Sequence, residues 1–248
     1  MAYQPGLRLS HHRTPATVPC VKSLVLWDID GTLVRTRGVA TAAFRRAVAT
    51  YAGLDETGFG QPEIAGKTDR LIASDWLALA GSDNSDEAVD AVLRLYEKEL
   101  ARSRDQLATR SQICPGVRQL LSALAERGVV QSVCTGNIPA NARLKLEVVG
   151  LADWIDWEIG AYGDRHLDRR ELAPIALEAA RVLRNLEPDR VWIIGDTPRD
   201  LACAQAACVS SLLVATGPYS AEELARLGPD ACLENLSQTE LAMSILAG

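Results

Sequence analysis

Two carboxylates, Asp28 and Asp30, are separated by a single residue and directly follow a short apolar run that ends at Trp27. At the end of a strand this spacing makes both carboxylates face roughly the same way, and two negative charges this close need a cation. Mg²⁺ suits them, because it prefers oxygen ligands in octahedral geometry and keeps several waters. Asp196 follows another apolar run and is placed to supply a third oxygen, and Asp200 lies one helical turn further on, where it could support Asp196 or the metal.

Residue types of this kind are suited to phosphoryl transfer. In that chemistry Asp28 attacks phosphorus and forms an aspartyl phosphate, which water then hydrolyses. Asp30 would protonate the leaving oxygen and then deprotonate the attacking water, a contribution typically worth ~10²–10⁴-fold in rate. The Thr135 hydroxyl and the backbone N–H groups near Gly136 and Asn137 would hold the phosphoryl oxygens.

A positive side chain is needed to complete the clamp on a phosphoryl group. Arg169 is the first choice and Arg170 the second, although both belong to a charged stretch, residues 164–171, that by default is a solvated surface. Further toward the N-terminus, Lys67 lies in a Gly-flanked turn from which it could reach a substrate. The alternative for that turn is the N-cap of a helix, made by Thr68 or Asp69.

Buried strands are the elements that must position these polar residues. Short apolar runs at residues 23–27, 129–134 and 191–194 each end in one of the polar clusters, and weaker strand candidates lie at 157–160 and 211–214. Helical patterns separate the runs. This alternation predicts an α/β fold with a doubly wound, Rossmann-like parallel sheet. Ligands of such sheets bind outside the carboxyl ends of the strands, where all three polar clusters fall.

The segment from residue 38 to residue 111 contains helical patterns and no buried-strand run. We interpret it as a small helical cap domain inserted after the first strand. The core domain then comprises residues 21–37 and 112–248, and residues 1–20 form a flexible N-terminal tail. The helical insertion favours a small substrate, because a lid that closes to exclude water would be blocked by a polymer.

Composition restricts the partners and the compartment. The chain of 248 residues has 26 basic and 32 acidic side chains and a net charge of −6. A fold-wide positive field for nucleic acid is therefore absent, and no apolar run approaches the ~20 residues that span a bilayer. The six cysteines lie among apolar residues without a CxxC pair, which is typical of reduced, buried thiols and favours the cytoplasm. We expect a monomer or a weak homodimer.

The motifs resemble those of phosphatases of the haloacid dehalogenase (HAD) superfamily. Asp28-Ile29-Asp30-Gly31-Thr32 matches the first motif, DxDGT, and Thr135-Gly136-Asn137 fits the second. The segment from Gly195 to Asp200 matches the fourth motif, GDTxxD. Helices inserted between the first two motifs resemble the C1-cap subclass, which includes phosphoglycolate phosphatases and β-phosphoglucomutases.

This resemblance implies a Mg²⁺-dependent phosphatase that acts on a small-molecule phosphate ester. Asp28 and Asp196 would bind the metal through their side chains, and Asp30 through its main-chain carbonyl, which leaves the Asp30 carboxylate free. Asp200 completes the predicted metal site. The predicted catalytic residues are Asp28, Asp30, Thr135 and Arg169, and the predicted substrate-binding residues are Thr32, Lys67, Gly136 and Asn137.

The chain departs from the family pattern at the third motif, which is usually a lysine that precedes a helix. No lysine follows Lys145 in this sequence, so we expect Arg169, or else Arg170, in that role. Arginine keeps the charge and adds a planar fork of donors, but it does not easily imitate a compact ammonium group.

Other activities of the same fold remain as alternatives. A phosphomutase of the β-phosphoglucomutase type would return the phosphoryl group to a sugar. A haloacid dehalogenase would lack the acid/base carboxylate that is present here as Asp30. A phosphonate-cleaving enzyme needs a lysine from the lid, and Lys67 and Lys98 are the candidates. A non-catalytic HAD-like binding module is the remaining alternative, against which the intact carboxylates count.

Overall fold

A parallel sheet of five strands forms the centre of the computed structural model, which describes residues 23–247. In chain order the strands are β1 (Ser23–Trp27), β2 (Val34–Arg35), β3 (Gln112–Ile113), β4 (Val130–Val133), β5 (Arg190–Gly195), β6 (Ser210–Val214) and β7 (Ala231–Leu233). The order across the sheet is β4-β1-β5-β6-β7. Strands β2 and β3 pair separately and antiparallel. The predicted α/β fold with a parallel sheet is confirmed.

Helices cover both faces of the sheet and fill the segment between β2 and β3. They are α1 (Val39–Ala52), α2 (Asp69–Leu79), α3 (Asp86–Arg102), α4 (Arg104–Arg110), α5 (Val117–Glu126), α6 (Pro139–Glu147), α7 (Leu172–Arg184), α8 (Pro198–Ala206), α9 (Ala221–Ala225) and α10 (Thr239–Ala247). Within the described part of the chain, no helix has the length and hydropathy that crossing a bilayer requires.

Alternate residues of β1 enter different apolar layers, as the two-residue period of a strand demands. Val25 and Trp27 pack in the layer that includes residues of α5, α6 and α10. Leu24 and Leu26 pack in the opposite layer, against residues of α7 and α8. All four side chains are fully buried. Burial on both sides explains why this strand is a continuous apolar run rather than an alternating one.

The position of β1 determines where the polar loops meet. Its neighbours are β4 on one side and β5 on the other, so the chain switches sides of the sheet around β1. The loops after these three strands carry Asp28, Thr135 and Asp196. A crevice opens at such a switch point, at the carboxyl ends of the strands.

Helices α1 to α4, which we call the cap helices, pack around an apolar cluster of their own. Phe44 of α1 stacks on Tyr96 of α3 with ring centroids 4.1 Å apart, and Trp76 of α2 lies 5.3 Å from Phe44. Ile138, at the start of α6, also belongs to this cluster. We keep residues 38–111 as the proposed limits of the cap domain. The predicted tail, residues 1–20, lies outside the described residues.

Two local predictions differ from the structure. The segment at 157–160 is a 3₁₀ turn (Trp157–Ile159) rather than a strand, because the Asp156 side chain accepts a hydrogen bond from the backbone N–H of Glu158 and starts a turn. Among the free cysteines of the described part of the chain, Cys208 is exposed and Cys232 is half-buried, whereas the sequence predicts that both are buried. Cys208 has a positive φ of 54° just after α8 and just before β6. Cys20 lies outside the described residues.

Candidate active site

Three buried carboxylates meet at the carboxyl edge of the sheet. Asp28 follows β1, Asp196 follows β5 and Asp200 lies in the first turn of α8, and each offers an oxygen within 4.8 Å of the others. Burial raises the pKa of Asp28 to about 6, although the adjacent Arg169 guanidinium lowers it. Burial and the charges of Asp28 and Asp200 raise the pKa of Asp196 to about 9. Among the described residues, the three carboxylates of this cluster therefore share a single guanidinium, that of Arg169, which does not balance their combined negative charge.

A divalent cation fits this carboxylate cluster. The donors are oxygen atoms, which hard cations prefer, and the raised pKa values of Asp28 and Asp196 show how unfavourable their charged forms are without a counter-charge. Both Asp200 oxygens already hold protein donors: Oδ1 accepts from Arg169, and Oδ2 accepts from Thr197 in a capping box of α8. Asp200 is thus held in place at the back of the cluster.

Two glycines, Gly31 and Gly217, pack so closely against the Asp196 carboxylate that no side chain would fit at either position. A Cβ at Gly217 would lie 1.6 Å from Asp196 Oδ2, and one at Gly31 would lie 2.4 Å from the same atom. Thr32 is fully buried and its hydroxyl donates to Asp196 Oδ1 at 2.9 Å. Thr32 was expected to contact a substrate, but this geometry places its hydroxyl against the carboxylate cluster instead.

Arg169, and not Arg170, reaches the carboxylate cluster. The Arg169 side chain is 5% exposed, and its Nη2 donates to Asp28 Oδ1 at 2.6 Å and to Asp200 Oδ1 at 2.5 Å. Arg170 is exposed and pairs with its neighbour Asp168. Within residues 23–247, the buried Nε of Arg169 has no hydrogen-bond partner. Of the two arginines that the sequence offers, Arg169 is thus the one in contact with the carboxylate cluster.

A second polar group lies beside the first and is centred on Asp30. The Asn137 amide donates to Asp30 Oδ2 at 2.8 Å and to Thr135 Oγ1 at 2.8 Å. Lys145 of α6 donates to the same Asp30 oxygen at 2.5 Å and to the Asn137 Oδ1 atom. No motif in the sequence predicts a role for Lys145. Thr135 is fully buried, and its hydroxyl oxygen accepts the hydrogen bonds from Asn137.

A cavity of about 350 Å³ separates the sheet edge from the cap helices. Its polar wall includes Asp28, Asp30, Asn137, Lys145 and Arg169. Apolar side chains of the cap helices form much of the opposite wall: Ala40, Phe44, Ile72, Trp76 and Tyr96. A phosphoryl group at the sheet edge would thus have its organic substituent directed at an apolar, partly aromatic surface.

The loop before α2 joins the cap helices to the sheet edge. Thr68 is the N-cap of α2, since its hydroxyl accepts from Leu71 N, and it also donates to Leu167 O at 3.2 Å. The backbone N–H of Asp69 donates to Gly136 O at 2.6 Å. Lys67 lines the cavity, and its ammonium group pairs with Asp75 of α2 at 2.8 Å. The N-cap alternative for this turn is correct, and Lys67 lies at the cavity as well.

Asp69, which the sequence predicts only as a possible N-cap of α2, is a buried carboxyl. Its Oδ2 accepts from the backbone N–H of Ile138 at 2.8 Å, so a residue of the cap helices satisfies the N-terminus of α6. Burial raises the pKa of Asp69 to about 7, although the nearby Lys145 lowers it. The signal available in the sequence was an acidic residue in a turn with glycine and threonine, which is common at helix starts.

Comparison with known proteins assigns the family. A family model described as haloacid dehalogenase-like hydrolase matches residues 22–207. The chain belongs to the haloacid dehalogenase-like hydrolase family. A phosphoglycolate phosphatase of Rhodospirillum rubrum is 34% identical to this HAD-like chain over 220 residues, which cover 86% of the chain and 87% of that protein. Phosphoglycolate phosphatase 1 of Pseudomonas aeruginosa is 28% identical over 221 residues, or 86% and 76% of the two chains.

Solved structures share the fold of this HAD-like protein. CbbY from Rhodobacter sphaeroides, in complex with phosphate, superposes with a TM-score of 0.69 and 16% identity, covering 91% of this chain and 99% of that one. At this identity the likeness shows the fold alone. With the family and the phosphatase relatives, the predicted enzyme class, a phosphoric monoester hydrolase, is confirmed.

Proposed function

We propose that this protein is a Mg²⁺-dependent phosphatase that hydrolyses a small phosphomonoester through an aspartyl phosphate on Asp28. The observation that supports this most directly is the environment of Asp28. Its Oδ1 holds Arg169 at 2.6 Å, and its carboxylate lies in one cluster with Asp196 and Asp200. Among the described residues we find no hydrogen bond to Asp28 Oδ2, so this oxygen is left to attack phosphorus.

The metal would be held by the Asp28 and Asp196 side chains and by the Asp30 main-chain carbonyl, with Asp200 behind them. When bound, Mg²⁺ would reduce the repulsion between an anionic nucleophile and an anionic phosphoryl group. Arg169 would act on the same repulsion from the other side, and its unpartnered Nε is a donor available to a phosphoryl oxygen.

Two proton transfers by Asp30 would accompany two displacements at phosphorus. As the Asp28 oxygen bonds to phosphorus, the bond to the leaving oxygen breaks, and Asp30 gives that oxygen its proton. In the second step water attacks phosphorus, its proton returns to Asp30, and the Asp28 carboxylate is released. Thr135 accepts hydrogen bonds from Asn137, which leaves the Thr135 hydroxyl proton for a phosphoryl oxygen.

The size and lining of the cavity favour a small ester. Its volume of about 350 Å³ lies near the lower end of the usual range for small-molecule sites. The relatives named phosphoglycolate phosphatases support a small phosphomonoester as the substrate class. We therefore propose a compact organic phosphate, with Lys67, Gly136 and Asn137 at the edge of its binding site.

The test is release of inorganic phosphate from a panel of metabolite phosphates with Mg²⁺ and no bisphosphate activator. Release by the wild-type protein supports a phosphatase, whereas phosphate that returns only to a sugar would indicate a mutase. Asp28→Asn should lower the rate by at least about 10³-fold, because a carboxamide is not a nucleophile at phosphorus. The matched control is Asp105→Asn, which changes an exposed aspartate of α4 in the same way. Equal release by wild type and Asp28→Asn would remove the proposed mechanism.

A further inference from the structure

One fully enclosed cation at the site has no role in the two displacements. Lys145 is 2% exposed, which is rare for a lysine. Its helix, α6, is fixed to the core by Ala142 and Leu146, both fully buried in the layer beside β1. Burying an ammonium group is costly unless it is paired and hydrogen-bonded. The buried ammonium group of Lys145 is paired with the Asp30 carboxylate and donates a hydrogen bond to the Asn137 side-chain oxygen.

Both hydrogen bonds that the Asp30 carboxylate accepts from the described residues are made to the same oxygen, Oδ2. Lys145 Nζ and Asn137 Nδ2 both donate to Oδ2, at 2.5 Å and 2.8 Å. Among residues 23–247 we find no donor on Oδ1. The Lys145 ammonium also binds the Asn137 Oδ1 atom, which orients the amide so that its NH₂ group faces Asp30 and Thr135. Two donors, one of them oriented by the other, thus fix a carboxylate that is otherwise 41% exposed.

We propose that Lys145 is a positioning residue for the acid/base step: directly and through Asn137, it holds Asp30 Oδ2 so that Oδ1 faces the leaving oxygen. This inference rests on the proposed phosphatase function. In the first displacement the proton leaves Asp30 Oδ1 for the leaving oxygen, and in the second a water proton returns to Oδ1. Lys145 keeps all its protons throughout and bonds to neither substrate nor metal.

A positioning role makes a prediction that a general loss of structure does not. Protonation of the leaving oxygen matters greatly when that oxygen is strongly basic and little when it is weakly basic. The value of kcat/KM covers events up to departure of the leaving group, so it reports on this protonation. Phenyl phosphate and 4-nitrophenyl phosphate form a suitable pair, because they have similar shapes and leaving groups of different basicity.

The experiment measures kcat/KM for both esters with Mg²⁺ in the wild-type protein, Lys145→Met and Lys145→Gln. Lys145→Met keeps an unbranched side chain and removes the donor, and Lys145→Gln keeps an N–H donor without the charge. For Lys145→Met we expect a loss of about 100-fold on phenyl phosphate and less than about tenfold on 4-nitrophenyl phosphate, with KM nearly unchanged. Lys98→Met, at an exposed position of α3, should leave both values unchanged.

The ratio of the two kcat/KM values is the decisive quantity, because both are measured on one preparation and the folded fraction cancels. A larger loss on phenyl phosphate than on 4-nitrophenyl phosphate in either Lys145 variant supports the positioning role, and a larger loss on 4-nitrophenyl phosphate contradicts it. A ratio that equals the wild-type value in both variants overturns it, and so does a rise in KM alone, which would make Lys145 a substrate-binding cation. If the wild-type protein releases no phosphate from any ester, the proposed function itself fails, and the inference fails with it.

Discussion

The Nη2 atom of Arg169 lies 2.6 Å from Asp28 Oδ1 and 2.5 Å from Asp200 Oδ1, so one guanidinium bridges two aspartates that are far apart in the sequence. All three side chains are at most 5% exposed. One planar cation thus joins the loop after β1 to the first turn of α8. It also donates to the carbonyls of Gly66 and Cys134, so the cap loop before α2 and the end of β4 meet at the same side chain.

Replacing Arg169 should therefore affect both activity and stability. Arg169→Ala leaves Asp28 and Asp200 without their shared cation, and loss of one partner from a buried ion pair typically costs about 3–5 kcal/mol. We expect that loss in the free energy of unfolding in the absence of metal, and a fall in kcat/KM of at least about 100-fold. Urea unfolding and phosphate release measure the two effects.

Arg170→Ala is the matched control, since Arg170 is the next residue but exposed, with 65% of its side chain accessible. Exposed pairs contribute about 0–1 kcal/mol, so this variant should resemble the wild type. Arg169→Lys should fall between the two, because an ammonium group keeps the charge but lacks the fork that reaches both carboxylates. If Arg169→Ala keeps full activity, Arg169 has no part in the reaction.

The metal prediction concerns Asp196, whose pKa burial raises to about 9. In the metal-free folded protein the Asp196 carboxyl keeps its proton up to about pH 9, whereas in the unfolded chain it loses that proton above about pH 4. The free energy of unfolding of the metal-free protein therefore decreases as the pH rises from about 4 toward 9. Asp196→Asn removes this loss and should raise the metal-free Tm at pH 7, by about 2–4 °C for each 1 kcal/mol gained. Thermal unfolding in EDTA measures it.

Added Mg²⁺ should raise the Tm of the wild-type protein, since a ligand that binds only the folded state stabilises it by mass action. The same titration of Asp196→Asn should give little or no shift, because one carboxylate ligand is gone. Asp105→Asn should respond like the wild type. A Tm shift of equal size in Asp196→Asn would place the metal elsewhere.

The sequence predicts the site residues that follow the ends of strands better than those that lie on helices. Asp28, Thr135 and Asp196 follow apolar strands, and parallel strands bring their carboxyl ends to one edge, so their meeting could be predicted. Lys145 could not be predicted, because its contact with Asp30 depends on the rotation of α6 about its axis and on the tilt of that helix. Neither is encoded in a short local pattern.

Thr32 shows the same limit within a motif. It follows Asp30 by two positions, and in an extended strand it would face the same side. Gly31 instead has a φ of +89°, which turns the chain, and the Thr32 hydroxyl points to Asp196. The fold class followed from the order of strands and helices, whereas the short strand β7 and the β2–β3 pair were missed, because two or three residues carry no periodic signal.

Asp69 predicts a pH dependence of stability at a carboxyl group that is not itself among the proposed metal ligands. Burial raises its pKa from 3.8 to about 7, so the folded protein holds this proton more tightly than the unfolded chain. Stability from this carboxyl is then complete below about pH 4 and decreases as pH rises toward 7. Asp69→Asn keeps an oxygen that accepts from Ile138 N but does not titrate.

Urea unfolding of both proteins at a series of pH values from 4.5 to 8 would measure this effect. The difference in free energy of unfolding between Asp69→Asn and the wild type should grow in favour of the variant by about 1.4 kcal/mol per pH unit at most, and level off above about pH 7. The difference isolates Asp69, because all other titrating groups are shared. A difference that does not change with pH would show that Asp69 does not titrate in this range.

The last prediction tests the contact between the cap loop and α8. Gly66 has a φ of +66°, and a Cβ there would lie 2.4 Å from Thr197 Oγ1 and 3.1 Å from Arg199 Cβ. Gly66→Ala must push the loop away from Thr197, and with it the Gly66 carbonyl that accepts from Arg169.

Gly53→Ala is a close control, since Gly53 has the same φ of +66° and a Cβ there meets nothing within 4 Å. Both variants should lose about 1–2 kcal/mol to backbone strain in the left-handed conformation. Only Gly66→Ala should also lose at least about tenfold in kcat/KM, because a displacement of about 1 Å at a reacting group can cost as much as 10²-fold. Equal kinetics in the two variants would mean that this contact does not affect the reaction.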